Sequence, residues 1–79
     1  MIKLTNIHRN NDVLLCDGFV EDCSIPIPIS FNEKTSELSE YNLPKDYEYC
    51  KSHIMHAKNY LKSLSGKDIS DNEKIIMWY

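Results

Sequence analysis

The chain has 79 residues, about half the commonest size of a single domain, so we expect one domain spanning residues 1–79 with a small core. Nine basic and twelve acidic side chains give a net charge of −3, which argues against the basic surface that nucleic-acid binding needs. No apolar run approaches the length of a membrane-spanning helix, and the first residues lack the pattern of a signal peptide. We therefore expect a cytoplasmic protein, and an odd number of cysteines is typical of such a reducing compartment.

The first half of the chain predicts β-strands. Residues 2–8 form a short apolar–polar segment that ends in an asparagine-rich turn. Residues 13–20 carry apolar side chains on both faces of a predicted strand, which indicates a central strand covered at least partly on both sides. Residues 25–31 alternate isoleucine or phenylalanine with proline or serine, the clearest strand signal in the chain. Because Pro26 and Pro28 remove donors from one edge, we expect this strand to lie at an edge of the sheet over its first half.

The second half predicts one long helix and a last strand. After a short strand at 37–41, Leu43 and Pro44 open the predicted helix, and apolar residues then recur at spacings of four and three as far as Leu64. Residues 74–79 predict a final strand antiparallel to the first. We therefore predict an α+β fold in the order β-β-β-β-α-β. In it, one long helix packs across one face of an antiparallel sheet of four to five short strands.

One flank of the predicted helix carries aromatic and imidazole rings at spacings of four and three. Their polar tips are expected to face water or a partner, because they lie beside the core stripe rather than on it. Tyrosine is enriched at protein interfaces, and histidine makes a contact sensitive to pH near neutrality. We predict that this tyrosine–histidine line binds a protein partner or a second copy of the chain; its members are Tyr49, His53, His56 and Tyr60.

The charges are distributed unevenly along the chain. Residues 10–49 hold nine acids and two lysines, a net charge of −7, whereas residues 50–67 hold four lysines and no acid. Such asymmetry steers association with partners, including a second copy. Three of these lysines (Lys51, Lys58 and Lys62) share the other flank of the predicted helix. Since no arginine accompanies them and the aromatic rings lie on the opposite flank, we interpret them as a solvated ridge and expect no nucleic-acid partner.

An alternative hypothesis gives the helix a metal or redox role. Cysteine and histidine are zinc ligands, and a cysteine next to an imidazolium acquires a lowered pKa. The candidate residues are Cys50, His53 and His56. Because they fan across part of the helix, they need a fourth ligand, from Cys16, Cys23 or His8. Against this, Cys50 lies on the apolar stripe, where a free cysteine behaves as a small core residue.

The fragment from Leu43-Pro44 through Tyr47 to Cys50-Lys51-x-His53-x-x-His56-Ala57-Lys58, together with the closing Met77-Trp78-Tyr79, resembles short uncharacterised proteins of low-GC Gram-positive bacteria. The resemblance covers the second half of the chain and implies no activity. Eight lysines against one arginine indicate an AT-rich genome, bacterial or phage.

The chain contains no phosphate-binding glycine motif, no nucleophile elbow and no metalloprotease motif. We therefore expect no catalytic activity and no cofactor. Our hypothesis is a small cytoplasmic module for protein–protein interaction, and an inhibitor carried by a phage or mobile element is one form that it could take. The alternative is a metal- or redox-responsive regulator that uses Cys50, His53 and His56.

Overall fold

A computed structural model describes residues 1–78. The elements in chain order are β1 (Ile2–Asn10), β2 (Val13–Val20), β3 (Ile27–Asn32), β4 (Glu37–Leu38), α1 (Lys51–Ser63) and β5 (Lys74–Ile76). The strands form one sheet in the order β4-β3-β2-β1-β5, and all neighbouring strands are antiparallel. This confirms the predicted α+β fold, including the return of the last strand beside the first.

The three long strands bury one face of the sheet, which we call the inner face. Side chains alternate along each strand, so one face of β1, β2 and β3 collects the apolar residues. In β2, Leu14, Cys16 and Val20 are buried and alternate with partly exposed residues. Their neighbours on the inner face are also buried; they are Ile2, Leu4, Ile7, Ile27, Ile29 and Phe31. Together with the buried side of α1 they form the core.

The strand with the two prolines lies partly at an edge, as predicted. β3 pairs with β2 along its whole length, with Pro28 opposite Asp17. On its other side, β4 pairs only with Phe31 and Asn32. The stagger leaves the first half of β3 without a strand on that side, where the proline has no N–H to donate.

The helix begins later than predicted. α1 starts at Lys51, so the prediction of helix for residues 43–50 is wrong. Asp46 has a φ angle of 73°, in the left-handed region that a right-handed helix does not enter. The Tyr47 N–H donates to the Pro44 carbonyl at 2.9 Å, which closes a turn in place of a helical repeat. Consecutive turns therefore replace the first turns of the predicted helix, although the apolar stripe still contacts the core.

An arginine fixes the carboxyl end of the helix to the sheet. The Arg9 guanidinium donates to Glu33 through Nε–Oε2 at 3.0 Å and Nη2–Oε1 at 2.8 Å. The same Nη2 donates to the carbonyl of Leu64 at 3.1 Å, one residue after α1 ends. Hydrogen bonding to Arg9 holds the pKa of the Glu33 carboxyl below its ordinary value. The contact thus joins β1, the turn after β3 and the end of the helix.

The last strand is shorter than predicted. β5 comprises Lys74–Ile76 and pairs with residues 2–4 of β1. Met77 and Trp78 follow without strand structure. Tyr79, to which the predicted strand extended, lies outside the described residues.

Candidate functional site

The tyrosine–histidine line is not the continuous exposed surface that was expected. Tyr49 precedes α1 and is 70% exposed, whereas His53, on the first turn of α1, is only 7% exposed. His56 and Tyr60 are partly buried. The expectation that His53 faces water is therefore wrong. The cause is tertiary, because Trp78 packs on this flank of the helix.

A carboxylate at the end of β2 holds His53 in place. Nε2–H of His53 donates to Oε1 of Glu21 at 2.7 Å, and the amino-terminal ammonium of Met1 lies 3.3 Å from the same oxygen. Glu21 has a φ angle of 49°, an uncommon conformation for a residue other than glycine. The other ring nitrogen of His53, Nδ1, is buried and has no hydrogen-bond partner among the described residues. One carboxylate thus joins the start of β1 to the start of the helix.

Three contacts attach the carboxyl-terminal segment, residues 74–78, to the same flank. The Trp78 ring stacks on His56 with a centroid distance of 4.0 Å and an interplanar angle of 15°. It also meets His53 edge-on, at a centroid distance of 4.8 Å. The Lys74 ammonium lies 5.6 Å from the centroid of the Tyr60 ring, within cation–π range. Three members of the tyrosine–histidine line therefore contact Lys74 or Trp78 of their own chain.

Sequence reasoning missed these intramolecular partners, Glu21, Lys74 and Trp78. One signal for them was present, because the order of elements placed the last strand beside β1, where Trp78 follows it. Spacing along the helix cannot show which neighbouring element covers a flank.

The residues of the metal and redox hypothesis do not form a metal site. No group of three histidine, cysteine, aspartate or glutamate side chains within residues 1–78 is arranged to hold a metal ion. Cys50 is fully buried, which confirms its place on the apolar stripe. Burial raises the pKa of the Cys50 thiol, the direction opposite to that of an activated nucleophile. Burial likewise raises the pKa of Cys16 to about 12.

The lysine flank of the helix faces solvent. Lys51 and Lys62 are exposed, Lys58 is partly buried, and Met55 lies among them with 50% of its surface exposed. None of the three lysines forms an ion pair within the part of the chain that the structure describes. This geometry is typical of a solvated ridge with one apolar side chain in it.

The second face of the sheet has no helix on it. This outer face carries the side chains that alternate with the core residues, and no described helix packs there. Val13, Leu15 and Phe19 of β2 lie on it partly exposed, and Ile75 of β5 is 53% exposed. The registers place Lys3 directly between Phe19 and Ile75. The outer face is therefore an apolar surface interrupted by polar side chains.

Two open concavities flank β1. One, of about 500 Å³, lies at the end of the outer face and is lined by Lys3, Phe19, Asp22 and Ile75 among others. The other, of about 720 Å³, lies between the second half of β1 and residues 69–73, and its lining is mostly polar. The larger concavity is lined by His8, a candidate fourth ligand of the metal hypothesis, but by none of Cys50, His53 and His56. The smaller one continues the outer face. Asp22 in its lining accepts a hydrogen bond from the Tyr47 hydroxyl at 2.7 Å, and the ring of Tyr47 stacks on that of Tyr49.

Comparison with known proteins gives no family for this chain. No protein-family model, curated protein sequence or solved structure matches it at a significant level. Within residues 1–78, no helix has both the length and the apolar character needed to cross a lipid bilayer.

Proposed function

We propose that this chain is a non-catalytic protein-binding module that docks a partner protein on the outer face of its sheet. The observation that carries the proposal is the set of apolar side chains on that face, Val13, Leu15, Phe19 and Ile75, over which no described helix lies. An apolar surface with a polar surround is typical of protein interaction sites.

The charges around the outer face indicate the kind of partner. Asp17 lies on this face between Thr5 and Pro28 and forms no ion pair with a described residue. Asp22 lines the concavity at the end of the face. Both belong to residues 10–49, whose net charge is −7. We therefore propose a partner with an apolar patch bordered by lysine or arginine side chains.

The residues of the tyrosine–histidine line have two different roles in the proposed function. Tyr49, the member that stays exposed, adds an aromatic side chain for the partner, stacked on Tyr47, whose hydroxyl donates to Asp22 in the lining of the concavity. His53, His56 and Tyr60 hold the carboxyl-terminal segment through Trp78 and Lys74. In this way they fix the position of Ile75 on the outer face.

We propose a reducing compartment such as the cytoplasm for this protein. All three cysteines, Cys16, Cys23 and Cys50, are free and buried. Buried free thiols without disulfides are usual where glutathione and thioredoxin keep cysteines reduced.

Site-specific photo-crosslinking in the source cell tests the docking surface. A benzoylphenylalanine side chain is placed at Leu15 on the outer face, and at Met55 on the helix as the matched control. We expect a crosslinked partner from position 15 only. With that partner purified, Leu15→Glu weakens binding at least about tenfold, since hot-spot contacts exceed 1 kcal/mol, and Met55→Glu leaves it unchanged. Crosslinks from position 55 alone, or from neither position, would contradict the proposal.

A further inference from the structure

The two edges of the sheet differ in whether another strand can pair with them. At one edge, β4 pairs only with the end of β3, and Pro28 lies in the open part. A proline at an edge strand removes the donor that a further strand would need. At the other edge, β5 pairs with β1 on one side, and no described backbone group hydrogen-bonds to its other side. Within residues 1–78, one edge is therefore reduced to the two residues of β4 and a proline-bearing part of β3, whereas the β5 edge is open.

The side chains of the open edge favour pairing with another strand that has apolar side chains on its outer face, such as β5 of a second copy. Ile75 points to the outer face and is 53% exposed, and Met77 just beyond β5 is 67% exposed. Lys74 is directed to the helix side, with its ammonium over the ring of Tyr60. The charge of this strand is thus turned away from the face on which Ile75 lies.

We propose that β5 pairs with β5 of a second copy of this chain, antiparallel and about a two-fold axis at Ile75. In this register Ile75 lies opposite the partner's Ile75, and Lys74 lies opposite the partner's Ile76. An axis at Lys74 would instead place two ammonium groups directly opposite each other, which destabilises a strand pair. The pairing joins two five-stranded sheets into one continuous sheet with both helices on the same side.

The other edge of the sheet disfavours growth beyond a dimer. In a two-fold pair each copy uses its β5 edge, and the edge that remains offers only the two residues of β4 and the part of β3 that carries Pro28. An isologous contact of this kind closes, whereas two open edges per copy would propagate into fibres. The inference goes beyond the proposed function. The two share Ile75, but the dimer rests on the backbone groups of the β5 edge, whereas docking is tested at Leu15, so each can fail without the other.

The oligomeric mass of matched variants tests the dimer. Light scattering on a sizing column is compared for the wild-type chain, Ile75→Lys and Ile25→Lys. Ile25 is the control, because it is an exposed isoleucine (58%) outside the strands. We expect a dimer for the wild type and for Ile25→Lys. For Ile75→Lys we expect dimerisation at least about 100-fold weaker, because two like charges then lie opposite each other. A monomeric wild type at about 1 mM, or equal dimerisation of the two variants, would overturn the proposal.

A thiol crosslink tests the register without adding charge. Directly opposed side chains in an antiparallel pair have Cβ atoms about 4.5–5.5 Å apart, a gap that small shifts close to disulfide geometry. Diamide takes up two protons and two electrons from two thiols to form one disulfide. We expect Ile75→Cys to give a covalent dimer and Ile25→Cys to stay monomeric under denaturing electrophoresis. Absence of the crosslink in Ile75→Cys, or equal crosslinking of both, would refute a two-fold axis at this residue. Neither result bears on the partner docked at Leu15, so the two proposals fail separately.

Discussion

Strand β2 carries leucines on both faces of the sheet, and their surroundings differ completely. Leu14 faces the helix and is fully buried, whereas Leu15 lies on the outer face and is partly exposed. The two residues are adjacent in sequence and identical in type. Alternation therefore assigns side chains to faces, but the face that becomes the core is decided by where the helix packs. The uncovered face keeps apolar side chains in contact with water, and it is the surface on which we propose that a partner docks.

The largest expected effect is the loss of a side chain on the covered face. Leu14→Ala leaves a cavity beneath the helix, and we expect the free energy of unfolding to fall by about 2–5 kcal/mol. Urea denaturation followed by far-ultraviolet circular dichroism measures the change. If Leu14→Ala lowers the free energy of unfolding no more than Leu15→Ala does, the two faces contribute equally to stability, which would contradict the burial seen in the structure.

The covered face also depends on the contact that holds the helix start to the sheet. His53→Ala removes the hydrogen bond to Glu21 and the edge contact with Trp78. We expect a loss of about 1–3 kcal/mol in the free energy of unfolding. The matched control is His56→Ala, which loses a ring contact with Trp78 but no described hydrogen bond to a carboxylate. Equal losses in thermal denaturation of the two variants would indicate that the bond to Glu21 adds nothing.

At the other end of the helix, the ion pair between Arg9 and Glu33 is sensitive to acid. Hydrogen bonding to Arg9 lowers the pKa of Glu33 in the folded state below its unfolded value. The stabilisation is therefore present above the unfolded pKa and is lost as the pH falls through the folded pKa. Glu33→Gln should lower the melting temperature at neutral pH and flatten its decline in acid.

The control for the decline of the melting temperature in acid is Glu37→Gln. Glu37 is exposed and forms no ion pair with a described residue, so this variant should follow the wild-type pH profile. If the melting temperature of Glu33→Gln falls in acid in parallel with that of the wild type, the ion pair between Glu33 and Arg9 does not contribute to the loss of stability in acid.

The smallest effect on stability is expected on the uncovered face. Leu15→Ala removes atoms that already contact water, so the free energy of unfolding should change by less than about 1 kcal/mol. The same variant should weaken partner binding, which separates the docking surface from the core. A loss of unfolding free energy as large as that of Leu14→Ala would mean that Leu15 is covered in solution.

The order of the strands and the helix could be predicted because each pattern is local. The alternation through Ile27, Ile29 and Phe31 and the spacing of Ile54, Ala57 and Leu61 survive in the structure, and each set is buried. The start of the helix was missed since Pro44 and the nearby acids favour a helix start there, while the left-handed φ angle of Asp46 ends that possibility. No local signal announces such a conformation for an aspartate.

The surroundings of the predicted site could be inferred only in part. Spacing predicted that His53, His56 and Tyr60 share one flank of α1, and in the structure both histidines contact Trp78, although His53 is buried. It could not show that Trp78 and Lys74, far along the chain, cover this flank. Contacts of that kind depend on how the last strand pairs, which is a property of the whole sheet.

The packing of Trp78 against the helix also gives the protein an intrinsic fluorescence signal. The chain contains a single tryptophan, and its ring lies on the imidazole of His56. Release of the carboxyl-terminal segment would move the indole into water and shift its emission to longer wavelength. Fluorescence can then be compared with circular dichroism for each variant, and the two signals separate a loosened end of the chain from an unfolded core without any added label.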